Sequence, residues 1–343
     1  MKKLLNTLYN NNENRYLSLD GLNVVVLEDN SEIGRIPLHN LEMIVTVGYT
    51  GVSPALMGAC AENNINLCFL KPNGTFLARV TGRTKGNVIL RKTQYLISEN
   101  DEESLKIARN FIIGKIFNAK WVIERAKRDY SLRLNTEKLS KTSGILSNSI
   151  SMVQNCNDAD MLRGIEGEAA GIYFSVFDDL ILQQKKDFKF ITRNRRPPLD
   201  NVNALLSLTY TMLTNMCQAA LETVGLDPYV GFMHSDRPGR ASLALDLMEE
   251  LRSVFADRFV LTLINKKMIT SKDFEKMESG AVFLTENGRK KFFTALQNRK
   301  KETITHPFLN EKVEWGVVPY VQALLLSRYI RGDIDEYPPF LWK

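Results

Sequence analysis

ILRKTQYLISENDEESLKIARNF, residues 89–111, opens just after Asn87, near which the chain changes its period. Before it, short β-type runs alternate with turn residues. After it, apolar residues recur at helical spacing. The polar SENDEE run, 98–103, follows the first helical segment and reads as the hinge between the two parts. This predicts an α+β fold, with a β-rich N-terminal domain over 1–97 and a larger all-α-helical C-terminal domain over 98–343. A chain of 343 residues is long enough for two hydrophobic cores.

Upstream of the change, 16–19 and 22–27 are strand-like and meet at Asp20-Gly21, a hairpin pair. Runs 33–38 and 43–47 continue the pattern. Ser53-Pro54 reads as a helix start, with Ser at the cap and Pro at the first helical position, and the helix ends near Asn63-Asn64. Runs 65–70 and 75–80 then flank the turn Lys71-Pro72-Asn73-Gly74. Downstream, helices are expected over 87–97, 104–130, 160–184, 201–224, 241–256, 291–300 and 316–331. Segment 135–158, rich in Ser, Thr, Asn and Lys, reads as a loop.

Hydrophobic content of 44% and charged content of 24% are those of a soluble globular protein. The net charge of +6 and pI near 9.0 favour an anionic partner such as nucleic acid. Cys60, Cys68, Cys156 and Cys217 form no CxxC pair and read as reduced thiols, the first two and Cys217 in the core. The first residues lack the apolar run of a signal peptide, and 204–224 is too polar to span a membrane, so a cytoplasmic protein is expected. No HExxH, Walker, GxSxG or dinucleotide motif is present.

Three histidines occur in the whole chain, and His234 lies in a turn just upstream of an acidic helix. On that helix Leu243, Ala244, Leu247, Met248, Leu251, Val254 and Phe255 share one face, and Asp246, Glu249, Glu250 and Ser253 the other. The acidic face is either solvated or functional. In 162–177, Glu166 falls on a stripe with Leu162, Ala170, Tyr173 and Phe177, while Glu168 points away. Gly164, Gly167 and Gly171 form a neighbouring face that would admit a second helix. A carboxylate on an apolar stripe needs a partner, because an unpaired buried charge costs several kcal/mol. Arg163 or Arg252 would serve as a salt-bridge partner; a metal ion or a retained proton are the alternatives. His234, Glu166 and one carboxylate of the acidic face together make a donor set suited to Mn²⁺ or Mg²⁺ rather than zinc.

These blocks carry a family resemblance. LRGIEGEAAGIYF (162–174), RRPPLDNVNALLSLTYTML (195–213) and GLDPYVGFMHSDRPGRASLALDLMEELR (225–252) resemble the CRISPR-associated integrase of the adaptation module, Cas protein one. QALLLSRYIRGDIDEYPPFLWK (322–343) resembles its I-C subtype. The resemblance implies that Glu166, His234 and Glu249 bind a catalytic Mg²⁺ or Mn²⁺, with Asp246 as an alternative ligand or a group behind the ligands. It implies dimerisation through the N-terminal domain and catalysis in the helical one. It also implies partnership with Cas protein two and, in this subtype, Cas protein four. The implied reaction is transesterification: a prespacer 3′-hydroxyl joins a CRISPR repeat, and water in its place gives endonuclease activity. A nuclease of branched DNA and a non-catalytic nucleic-acid-binding scaffold are the rival readings.

Basic segments supply expected DNA contacts. KKDFKFITRNRRPP (185–198) offers Lys185, Lys186, Lys189, Arg193, Arg195 and Arg196 beside Phe188 and Phe190. RKKFFTALQNRKK (289–301) offers Arg289, Lys290 and Lys291, and the helix at 115–128 adds Lys115, Lys120, Arg125, Lys127 and Arg128.

Overall fold

The computed structural model describes residues 6–72, 76–82 and 88–343. Its first part holds two sheets. Strands β1 (Thr7–Asn10), β5 (Met43–Val47), β6 (Asn66–Leu70) and β7 (Phe76–Val80) form one in the order β1-β5-β6-β7; β2 (Arg15–Asp20), β3 (Asn23–Glu28) and β4 (Ser31–Pro37) form an antiparallel meander. β1 and β6 both run parallel to β5, and β7 is antiparallel to β6. Helix α1 (Pro54–Glu62) starts as the sequence predicts, its Ser53 hydroxyl accepting from the Leu56 amide. β1 was not anticipated: its four residues are too few to display a period.

The mixed sheet belongs to two cores at once. Ile44 and Leu67 face α1 and the meander, where they meet Leu17, Val24, Leu56 and Cys60. Met43, Val45, Val47, Cys68 and Leu70 face the helices. This is the two-residue alternation of a strand, with both faces buried.

The helical part comprises α2 (Val88–Glu99), α3 (Asp101–Asp129), α4 (Thr136–Gln154), α5 (Ala159–Phe174), α6 (Asn201–Val224), α7 (Ser242–Leu251), α8 (Arg258–Asn265), α9 (Glu286–Lys301) and α10 (Val318–Ile330). It is mostly but not wholly helical, a correction to the all-α expectation: Phe274–Lys276 pairs antiparallel with Val282–Leu284, and Thr303–Thr305 with Lys312–Glu314, in strands of three residues, too short to show a period. A π-helical turn, Arg252–Asp257, joins α7 to α8. The SENDEE run is a tight joint: Asn100 alone separates α2 from α3 and caps α3 by accepting from the Glu103 amide. Asp101, Glu102 and Glu103 then complement the positive end of the helix dipole.

Segment 135–158 is corrected from loop to helix. Asn135 caps α4, and Leu139, Leu146 and Val153, spaced by seven, are fully buried. The narrow apolar stripe is enough because α4 packs on α3 and α5; many of its Ser, Thr and Lys residues face out. The helix expected over 160–184 ends at Phe174. Among the described residues no helix is long and apolar enough to cross a membrane. All four cysteines are free and buried.

Candidate active site

Three helices bring the carboxylates together. α3 lies against α7 so closely that a Cβ on Gly114 would stand 2.9 Å from the Glu250 Cβ. The Asn118 amide locks this pair by donating to the Glu250 backbone carbonyl at 2.6 Å. One residue after Gly114, the Lys115 ammonium pairs with Glu249 Oε2 at 2.6 Å and with Glu166 of α5. Lys115 is therefore the partner that Glu166 requires. Arg163 pairs instead with Asp160, and Arg252 with Glu249 at 3.3 Å.

The acidic face of α7 is not solvated. Asp246 and Glu250 are fully buried and Glu249 is 6% exposed. Glu166 keeps partial exposure. Burial works to raise the Glu249 carboxyl, but Lys115 and Arg252 outweigh it and hold it at about 2. The Arg252 guanidinium is itself seated 4.4 Å from the centre of the Tyr210 ring.

Asp246 has a different task. Its Oδ2 accepts from the Phe232 and Met233 amides at 2.7 and 3.1 Å, and its Oδ1 from the His234 amide at 3.1 Å. Oδ1 also lies 2.6 Å from His234 Nδ1. A carboxylate so placed accepts from Nδ1–H and leaves Nε2 with its lone pair for a ligand. Asp246 thus holds the imidazole, and Glu249 stays available to a cation. Gly231 is required at the foot of this loop, since a Cβ there would meet Asp246 Oδ2 at 2.8 Å and Ser242 Cβ at 2.8 Å. Gln94 of α2 anchors the loop further upstream, donating to the carbonyls of Asp227 and Val230 and accepting from the Asp227 amide.

Glu250 turns away from this cluster. Gln322, the Tyr337 hydroxyl and the Phe340 amide donate to it. It fastens the segment 337–342 to the back of α7. Burial dominates over these neutral donors and pushes its carboxyl up to about 7.

Among the described residues no three His, Cys, Asp or Glu side chains close around a metal position. The donor chemistry still suits one. Two carboxylates from separate helices already share a cation, the Lys115 ammonium, and the imidazole of His234 is held by Asp246, one helical turn before Glu249. Glycines 164, 167 and 171, expected to receive a second helix, have open space beside them; α5 packs through Ile165, Ala169 and Tyr173 instead.

The basic residues divide. Arg193 is half-buried and engages Asn194, Asn203 and Ser207; Lys185 pairs with Asp178, Lys291 with Asp273, and Arg289 donates to the carbonyls of Pro72 and Leu284. Lys186, Lys189, Arg195, Arg196 and Lys290 are exposed. Phe188 and Phe190 are core residues, so neither offers a stacking surface.

Residues 8–298 match the family model of the CRISPR-associated protein Cas1. This chain belongs to the Cas1 family. A CRISPR-associated endonuclease Cas1 of Chlorobaculum tepidum is 48% identical over 343 residues, covering 100% of both chains. Among solved structures, a casposase bound to its integration product superimposes with a TM-score of 0.83 at 23% identity, covering 98% of this chain and 93% of that one. The Cas6-RT-Cas1–Cas2 complex gives 0.82 at 24% identity, covering 100% of this chain and 36% of the complex chain. The Cas1 likeness in fold takes in the β-rich N-terminal part and the helical C-terminal part described above.

Proposed function

We propose that the protein is the metal-dependent DNA integrase of CRISPR spacer acquisition, with DNA endonuclease activity at the same site. The observation that carries this reading is the convergence of Glu166 and Glu249 on one cation, beside an imidazole held by Asp246, in a chain of the Cas1 family.

Glu166 and Glu249 would hold Mg²⁺ or Mn²⁺ through carboxylate oxygens and His234 through Nε2. The ion, when bound, supplies charge that polarises a phosphoryl oxygen and favours ionisation of a 3′-hydroxyl. The protein does the positioning. Asp246 fixes the ring of His234, Arg252 fixes Glu249, and the tight α3–α7 pairing sets the spacing between helices. In the joining step the prespacer 3′-oxygen bonds to phosphorus at the repeat edge. The phosphorus bond to the repeat's own 3′-oxygen breaks, and that oxygen leaves and takes up a proton. One phosphodiester replaces another, so no nucleotide cofactor is needed, consistent with the absence of a phosphate-binding loop motif. Exposed Lys186, Lys189, Arg195, Arg196 and Lys290 would hold the DNA backbone.

Cas2 and a second copy of this chain are the proposed partners. The Cas1–Cas2 complex among the fold neighbours supports the first. The exposed Val88 and Leu96 of α2 support an apolar contact in the N-terminal half. A strand-transfer assay tests the reading. Labelled prespacer, supercoiled repeat DNA, Mn²⁺ and Cas2 should give label at the repeat edge with wild type and none with His234→Ala. Nicking without label transfer would leave only the nuclease.

A further inference from the structure

Lys115 is chemically out of place in a metal site. It is 9% exposed, its ammonium lies between the two carboxylates, and the tight pairing of α3 and α7 directs it there. A lysine recruited only to hold DNA would reach toward solvent. This one points into the protein and satisfies both acids together. Two carboxylates brought this close repel each other unless a cation lies between them. Arg252 pairs with Glu249, and among the described residues Lys115 is the cation that pairs with both acids.

We propose that Lys115 is a resident counter-cation, which holds Glu166 and Glu249 in register before a divalent ion binds and competes with that ion for the same place. The proposal rests on the metal reading above and assigns the residue a positioning role. An ammonium on a flexible four-carbon stem suits it: the stem can withdraw without moving α3, whereas the planar guanidinium of arginine would brace both carboxylates and yield less readily. The site is thereby preorganised without metal, at the cost of weaker binding when metal arrives.

The test uses the full-length chain stripped with chelator, with Mn²⁺ alone as the probe. Binding is read from the loss of the free-ion signal in electron paramagnetic resonance, and stability from thermal unfolding. Lys115→Met should melt at lower temperature than wild type in chelator, yet bind Mn²⁺ about tenfold tighter, the scale of one lost competing charged contact. Its melting temperature should therefore rise more on Mn²⁺ addition. Lys115→Arg should bind no tighter than wild type. Should the Met variant give little folded protein, judged by circular dichroism, Lys115→Gln removes the charge and keeps a donor; it too should bind tighter. Equal or weaker Mn²⁺ binding by the neutral variants, with wild type binding normally, overturns the counter-cation. Failure of wild type and all variants to bind Mn²⁺ overturns the metal reading and this inference with it.

Discussion

Glu249 and Glu250 are neighbours on one helix, both buried, and they behave as opposites. Glu249 faces Lys115 and Arg252, two full charges, and its carboxyl is held at about 2. Glu250 faces a phenol, an amide and a backbone N–H, and its carboxyl rises to about 7. Burial is common to both, so the charge of the partners decides the sign. One side of α7 is built to keep negative charge. The other is built to tie down a segment of chain.

The largest break in that comparison comes from neutralising each acid in turn. Glu249→Gln should reduce strand joining by about 10³-fold, the scale of several kcal/mol of lost charge stabilisation. Glu250→Gln should leave joining within a few-fold of wild type. Comparable losses for the two, in folded protein, would erase the distinction. Asp246→Asn comes next: an amide cannot accept from all the donors around it, and loss of the His234 anchor should lower joining about 10–100-fold. Initial rates at saturating Mn²⁺ measure both effects.

Stability gives the smaller signals. Glu250→Ala orphans donors from Gln322, Tyr337 and Phe340 and should lower the melting temperature by about 5 °C. Acid and base should then separate the two acids by sign. Glu250 holds its proton in the folded state above the ordinary value of 4.5, so its stabilisation is full below that value and fades as pH rises toward 7. Glu249 holds its charge below 4.5, so its stabilisation is present above that value and is lost as pH falls toward 2. Melting curves in chelator, each variant to Gln against wild type, should diverge in opposite directions. The same sign for both would contradict the assignment of partners.

Much of this was legible in the amino-acid order. Alternation marked six strands, the loss of alternation near residue 87 marked the helices, and the unusual carboxylate of Glu166 announced a partner. Three things were hidden. α4 fully buries only three apolar residues, Leu139, Leu146 and Val153, at intervals of seven, and their burial depends on α3 and α5 being present. Lys115 sits in a basic run that reads as a DNA contact, and nothing local reveals that it points inward, because its partners lie 51 and 134 residues away. The roles of Asp246 and Glu249, one turn apart, separate only once the loop amides from 232 to 234 are seen to converge on Asp246.

The two-faced sheet has a practical consequence for anyone who divides this protein. Cutting after residue 97 follows the boundary that the SENDEE run suggests, yet it would leave Met43, Val45, Val47, Cys68 and Leu70 without the helices that cover them. Such a fragment would present a freshly uncovered apolar plane to solvent. Self-association of that fragment would then report the adhesiveness of a cut surface, and the proposed pairing of two copies has to be tested on the undivided chain.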